Sequence, residues 1–474
     1  MTTPGESIHG SWSNRLVFIF AATGSAVGLG NIWKFPYITG EYGGGLFVLI
    51  YLVCVSAIGI PIMMAEVMLG RMGRHSPINS MRLIAEQNGR TRRWQWLGWI
   101  GVVAGFLILS FYSVIAGWTL AYVFRVGGGL FDGLTADGVG TKFGEFVGDP
   151  EKLLFWHTLF MVMTFTVVAR GVRHGLEKAV KYLMPMLFIL LLIMLGYSIS
   201  TGHFQDGMTF LFYPNLENIG NVKDFALVIL VALGQAFFSL SLGMGAIMAY
   251  GAYLPKNTSI ASTTLTIVIL DTLVALIAGM VIFPIVFANG LEPSAGPGLI
   301  FQTLPLAFGH MQWGTFFGTL FFILLVFAGW TSAISLLEPA VAYLVERWTW
   351  TRMKAALVTS IIVWLLGLAT VFSFNIWSEF EPLSAFEAFE GKTIFDLLDF
   401  LTANIMLPLG GLAIAIFAGW ILGWKTTEDE LAMSKEFCGY ALWRMLVRYV
   451  SPVLVLAVFI YSLLKALGQL PEAP

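Results

Sequence analysis

The stretches of this chain that carry no charge limit its fold more than any other feature. Leu46 to Ala65, Trp94 to Phe124, Phe225 to Leu254 and Gly314 to Leu337 contain no Asp, Glu, Lys or Arg. Each runs for about 20 residues or more, the length a helix needs to cross a ~30 Å hydrocarbon layer. Strands of a membrane barrel would show ~10-residue segments of alternating polarity, and these runs are apolar on every side. Composition agrees: 57% of residues are hydrophobic, 11% are charged and mean hydropathy is +0.81, against roughly 25% charged residues in soluble domains. The sequence therefore predicts an all-α integral membrane protein.

Eleven spans are expected, at about 15–37, 43–70, 95–124, 153–170, 176–200, 224–254, 258–288, 314–346, 354–375, 395–424 and 445–466. The first starts after 14 residues without the cleavage site of a signal peptide, so it reads as mature structure. With the N-terminus cytoplasmic, 19 of the 26 basic residues fall inside, six of them (Arg71, Arg74, Arg82, Arg90, Arg92 and Arg93) in one loop. That is the bias the positive-inside rule requires. No segment between spans is large enough for a core of its own. Cys54, in a span, and Cys438, in a cytoplasmic segment, are not placed to pair outside the cell. The near-zero net charge gives no support for nucleic-acid binding.

Two spans are broken at matching depth. The first contains "TGSAVGLGNIWKFPY", with Gly24, Gly28 and Gly30 beside Asn31 and Lys34, and the sixth contains "SLSLGMG" from Ser239 to Gly245. Five helices separate the two starts, so spans one to five and six to ten read as two repeats. Small residues at such spacing also serve close helix packing. Paired interruptions at corresponding positions, however, point to a midplane binding site in a transporter. Unwound backbone is tolerated in lipid only where it lines a cavity. There its carbonyls suit a hard cation, and its N–H groups suit a carboxylate.

"WSNRLVFIFAATGSAVGLGNIWKFPY", "GQAFFSLSLGMGAIMAYGAYL" and "FAGWTSAISLLEP" closely resemble the first, sixth and eighth helices of the neurotransmitter:sodium symporter family, bacterial branch. The resemblance implies a LeuT-type 5+5 inverted repeat with broken helices 1 and 6. Residues 1–200 would hold the tail and first repeat, 201–424 the second repeat, and 425–474 the eleventh span and tail. It further implies one or two bound sodium ions. The first would be held by the Ala26 carbonyl, Asn31, Ser239 and Asp271. The second would be held by the carbonyls of Gly24, Val27 and Ala328 with the hydroxyls of Thr331 and Ser332, although such hydroxyls commonly bond to their own preceding turn instead. Asp271 stands where the family often has Asn, and Ala275 where chloride-dependent members place Ser. A fixed carboxylate is thus expected to remove the chloride requirement.

The same resemblance implies a substrate pocket of Ser25, Ala26, Gly28, Gly30, Ile108, Tyr112, Phe238, Ser239, Ser241, Met244, Ser332 and Leu336. Monoamine transporters carry Asp at the position of Gly28, so glycine here implies a ligand that brings its own carboxylate. The mostly apolar wall points to a hydrophobic or aromatic amino acid. Outer-gate candidates are Lys34 with Asp399 or Asp396, and Phe301 with Phe238 as caps. The inner gate would pair Glu346 with His9, which replaces the family's Arg, or with Arg15. The expected activity is sodium-coupled import of amino acids by alternating access at the bacterial inner membrane, not enzymatic chemistry. The rivals are proton coupling through Asp271 and, from another class, an ion channel. The segment from Pro297 to Phe308 is expected as either a short helix dipping toward the bundle or a plain loop. Oligomeric state is not legible.

Overall fold

The computed structural model describes residues 10–214, 222–293, 298–386, 389–433 and 437–466, and His9 lies outside them. Nine described helices are long and apolar enough to cross a membrane unaided: Gly45–Gly73, Arg92–Gly127, Pro150–Val168, Val172–Ile199, Ile260–Ala288, Gly314–Trp348, Arg352–Ser373, Ile394–Ile421 and Tyr440–Tyr461. A tenth span is the pair Arg15–Ala26 and Gly30–Glu41, bent by 52° at its break. The remaining expected span, the sixth, divides into Val222–Ser239 and Ala246–Ala252.

Local sequence explains both interruptions. The first half-helix stops at Val27, whose backbone is extended (φ −67°, ψ 108°). In the sixth span three residues take left-handed conformations: Ser241 (φ 53°), Gly243 (φ 78°) and Gly245 (φ 73°). Glycine enters that region freely, whereas a side-chain-bearing residue there costs about 1–2 kcal/mol. The strain at Ser241 is offset by its hydroxyl, which donates to the Ser25 carbonyl at 2.9 Å. One broken helix thereby holds the other.

Close packing fixes the surroundings. A methyl group at Gly70 would lie 2.0 Å from the Met248 carbonyl, and one at Gly251 would lie 2.8 Å from that of Val67. The second span and the inner half of the sixth therefore touch backbone to backbone. The loops carry helices that the apolar-run reading did not resolve, among them Pro77–Gln87, Ala136–Val147, Phe204–Phe212 and Trp424–Ala432. Between the seventh and eighth spans, Leu299–Thr303 continues into Leu304–His310 with Leu299, Ile300, Phe301, Leu304 and Phe308 buried. Of the two expected forms, helix or loop, the segment takes the helical one and packs inward.

Candidate functional site

The two breaks face one another across the middle of the bundle. Asn31, just beyond the first break, is fully buried and bonds on both sides. Its Oδ1 accepts from the Gly28 N–H at 3.1 Å. Its Nδ2 donates to Asp271 Oδ1 at 2.9 Å, to the Asp271 carbonyl at 3.2 Å and to Ser239 Oγ at 3.0 Å. Ser239 Oγ in turn donates to Asp271 Oδ2 at 2.7 Å. Both carboxylate oxygens thus act as acceptors. Asn31, Ser239 and Asp271, three of the residues expected at the first cation, are thus brought together. One detail differs: the amide nitrogen of Asn31, not its oxygen, faces the acid. A cation held by Asn31 Oδ1 and Asp271 together requires the amide to turn over, which would also release the Gly28 N–H.

The second set of oxygens gathers where the first and eighth spans touch. Ser332 Oγ lies 3.4 Å from the Gly24 carbonyl, 3.2 Å from that of Ser25 and 3.2 Å from that of Val27. Thr331 Oγ1 lies 3.1 Å from the carbonyls of both Phe327 and Ala328. Thr331 is thus bonded within its own helix, while Ser332 reaches across to the broken one. A methyl group at position 24 would stand 2.9 Å from Met184 Sδ and 3.2 Å from Thr331 Cβ, so the Met184 side chain would have to move to admit one.

Beside both sets lies a small cavity of about 20 Å³ lined by eleven residues, all of them from the expected pocket. The twelfth, Ser239, lies behind it in the Asp271 network. Its polar lining is Ser25, Ser241, Ser332 and Tyr112, and its apolar lining includes Ile108, Phe238, Met244 and Leu336. Tyr112 OH accepts from the Leu29 N–H at 3.2 Å, so unwound backbone is tied to the pocket wall. A methyl group on Gly28 would stand 2.5 Å from Ser332 Oγ and 2.9 Å from Tyr112 OH. Any side chain at position 28 therefore points at these two hydroxyls.

The gates are arranged less simply. The Lys34 ammonium stands 4.5 Å from the centroid of the Phe238 ring, and Asp399 is near enough for its charge to act on Lys34. Asp396 instead closes the capping box of Ile394–Phe400, accepting from the Thr393 N–H at 2.9 Å and hydroxyl at 2.8 Å. Phe301 packs against Trp33, Trp118 and Tyr122 at 6.3, 5.5 and 5.2 Å and is not among the residues lining the cavity. Phe238 does line it.

On the other side, Glu346 accepts from the Ser76 N–H at 2.6 Å, the Ser76 hydroxyl at 2.5 Å and Asn79 Nδ2 at 2.6 Å. It thus lies at the N-terminus of Pro77–Gln87, where a negative charge is favoured. Arg15 donates to Ser262 and Thr263 of the seventh span instead. Nearby in sequence, Trp12 is buried, with its indole N–H on the Tyr250 carbonyl at 3.1 Å.

Several central residues were not singled out from the sequence. Tyr51 OH lies 3.2 Å from Ser239 Oγ, and Gln235 Nε2 donates to the Gly30 carbonyl at 2.8 Å. Glu66 accepts from the Gly243 N–H at 2.7 Å inside the second break. Glu338 is held by the Tyr253 hydroxyl at 2.8 Å and by Arg352. The two acids were open to the reasoning applied to Asp271, since an acid within a span is a functional candidate by default.

Two facing broken helices, an apolar cavity and oxygen clusters at its edge define a membrane transporter of the broken-helix, inverted-repeat class. The family model for the sodium:neurotransmitter symporter family matches residues 9–127 and 144–470, and the chain belongs to that family. It is 35% identical to an uncharacterized sodium-dependent transporter, YhdH, of Bacillus subtilis (strain 168), over 95% of this chain and 96% of that one. It is 33% identical to an uncharacterized sodium-dependent transporter of Haemophilus influenzae, over 98% and 100%. The crystal structure of MhsT in complex with L-phenylalanine superimposes with a TM-score of 0.86 at 42% identity, over 96% of this chain and 99% of that one.

Proposed function

We propose that this chain is a sodium-coupled importer of hydrophobic or aromatic L-amino acids that works by alternating access and needs no chloride. The observation that carries the reading is the small central cavity, walled by a few hydroxyls and by apolar side chains and flanked by Asp271 and by the Ser332 oxygens. The α-carboxylate would lie at the Gly28 end beside the first sodium, with the side chain between Ile108, Phe238, Met244 and Leu336. Unpaired polar groups are rejected there because burying them costs about 1–3 kcal/mol each. The L-phenylalanine held by MhsT is of the same class. The first cation would use the Ala26 carbonyl with Asn31, Ser239 and Asp271. The second would use the Gly24, Val27 and Ala328 carbonyls with Thr331 and Ser332. Oxygen-only ligation suits a hard cation. The neutral oxygens of Asn31, Thr331 and Ser332 gathered beside the carbonyls favour sodium coupling over a proton carried on Asp271. Lys34, Phe238 and Asp399 would close the outside, and Trp12 with Glu346 the inside. The N-terminus would lie in the cytoplasm of a bacterial cell.

The test is uptake of radiolabelled phenylalanine, leucine and glutamate into proteoliposomes. Phenylalanine or leucine should enter only with an inward sodium gradient. Equal uptake in potassium with a proton gradient would reverse the coupling, and preferential uptake of glutamate would refute the substrate class.

The pocket is checked separately by substitution at Gly28. Gly28→Asp places a second carboxylate against that of the substrate, and like charges ~4 Å apart repel by about 4 kcal/mol at an effective dielectric of ~20. Because any side chain at this position also meets Ser332 and Tyr112, Gly28→Asn separates size from charge. Amino-acid binding by isothermal titration should fall at least about 100-fold further in the Asp variant than in the Asn variant.

A further inference from the structure

A second concavity, of about 530 Å³, is lined by residues other than those of the central site. Its rings are Phe210, Tyr213 and Phe287, and its polar side is His203, Asp206 and Thr209. Depth restricts what can occupy it. Phe287 is the next-to-last residue of Ile260–Ala288, and His203 follows the end of Val172–Ile199 by four residues. Both positions are where spans leave the hydrocarbon, the level at which aromatic side chains and lipid head groups meet. Phe212 and Tyr213, 47% and 70% exposed, continue the aromatic rim outward.

The polar pair has an ordinary role. His203 is the N-cap residue of Phe204–Phe212, Asp206 lies in its first turn, and His203 Nδ1 is 2.8 Å from Asp206 Oδ2. Phe210 and Phe287 pack on each other with ring centroids 5.6 Å apart, and the concavity they line with Tyr213 also contains Asp206, whose carboxylate stays largely exposed despite its pairing with His203. Aromatic faces beside a carboxylate are the chemistry that holds an organic ammonium. Hydrogen-bond donors on the same wall suit an adjoining anion.

We propose that this concavity binds the head group of an aminophospholipid, its ammonium against Asp206 and the rings of Phe210, Tyr213 and Phe287, its phosphate toward His203 and Thr209. The wall that would carry the lipid is clasped to the turn joining the first and second spans. Gly44 bridges to Pro214, and a methyl group on Gly45 would lie 2.6 Å from the Tyr213 carbonyl. A lipid seated here therefore braces the backbone at the end of Gly30–Glu41, the half-helix that carries Asn31 and Lys34.

The experiment uses the purified, delipidated full chain in detergent, titrated with short-chain phosphatidylethanolamine and followed by thermal unfolding. Phosphatidylglycerol of the same chain length is the comparison. Phosphatidylethanolamine should raise the melting temperature saturably and phosphatidylglycerol should not. Asp206→Asn and Phe287→Leu, each with an unliganded melting temperature equal to wild type, should raise the half-saturating concentration at least tenfold. Equal stabilisation by phosphatidylglycerol, or wild-type titration by Asp206→Asn, would overturn the proposal. So would Asp206-dependent stabilisation by free amino acids in a Gly28→Asp background, which would assign the concavity to a soluble zwitterion.

Discussion

Replacing Thr331 with Val and Ser332 with Ala should abolish sodium-driven amino-acid uptake while leaving the protein folded. The substitutions remove two of the five oxygens expected around the second cation, and Ser332 is the one that joins the eighth span to the Gly24 and Val27 carbonyls. Val is close to Thr in volume, so the packing against Gly24 survives the loss of the hydroxyl. Uptake should fall by at least about 100-fold, equivalent to about 2.7 kcal/mol of lost cation binding. The singles should differ. Thr331 Oγ1 already bonds within its own helix, so Thr331→Val alone leaves no donor stranded. Ser332→Ala removes a contact with three carbonyls at the end of the first half-helix and should account for most of the loss. Initial rates at several sodium concentrations check this. An unchanged half-saturating sodium concentration in Ser332→Ala would remove the second site from this position.

Much of this arrangement was legible in the sequence because lipid makes sequence unusually explicit. Broken helices cannot be hidden in hydrocarbon, so Gly28 to Asn31 and Ser239 to Gly245 declared the site, and Asp271 declared itself as an acid among apolar residues. What escaped was set by tertiary geometry. Asp396 and Asp399 lie three residues apart in a stretch where either suits a gate, and only the helix start at Ile394 gives the first to a cap. Arg15 and Glu346 carry opposite charge, yet the chain path puts Ser262 and Thr263 within reach of the arginine. Phe301 sits on an inward-packing helix whose existence apolar runs do not fix. The orientation of the Asn31 amide follows from a hydrogen-bond network spanning three helices, which no local pattern encodes.

The fixed charge at Asp271 gives the most discriminating expectation. Wild-type uptake should be unaffected when gluconate replaces chloride, because the first cation beside a zwitterionic substrate needs one compensating negative charge nearby, and Asp271 would supply it covalently. Asp271→Asn removes that charge and also sets an amide nitrogen against one of two donors, Asn31 Nδ2 or Ser239 Oγ, that now point at carboxylate oxygens. Leaving a buried donor unsatisfied costs about 1–3 kcal/mol on its own, so the apparent sodium affinity should fall by at least about tenfold. Ala275, buried one helical turn further along the same span, marks where a mobile anion would need a hydroxyl. Adding Ala275→Ser to Asp271→Asn should therefore restore part of the uptake in chloride and none in gluconate. Breaking a buried charge pair by removing one partner is strongly destabilising, so restoration by an external anion would show that the missing quantity is charge rather than shape. Wild-type transport that stops in gluconate would refute the account and leave Asp271 with a structural or proton-carrying role.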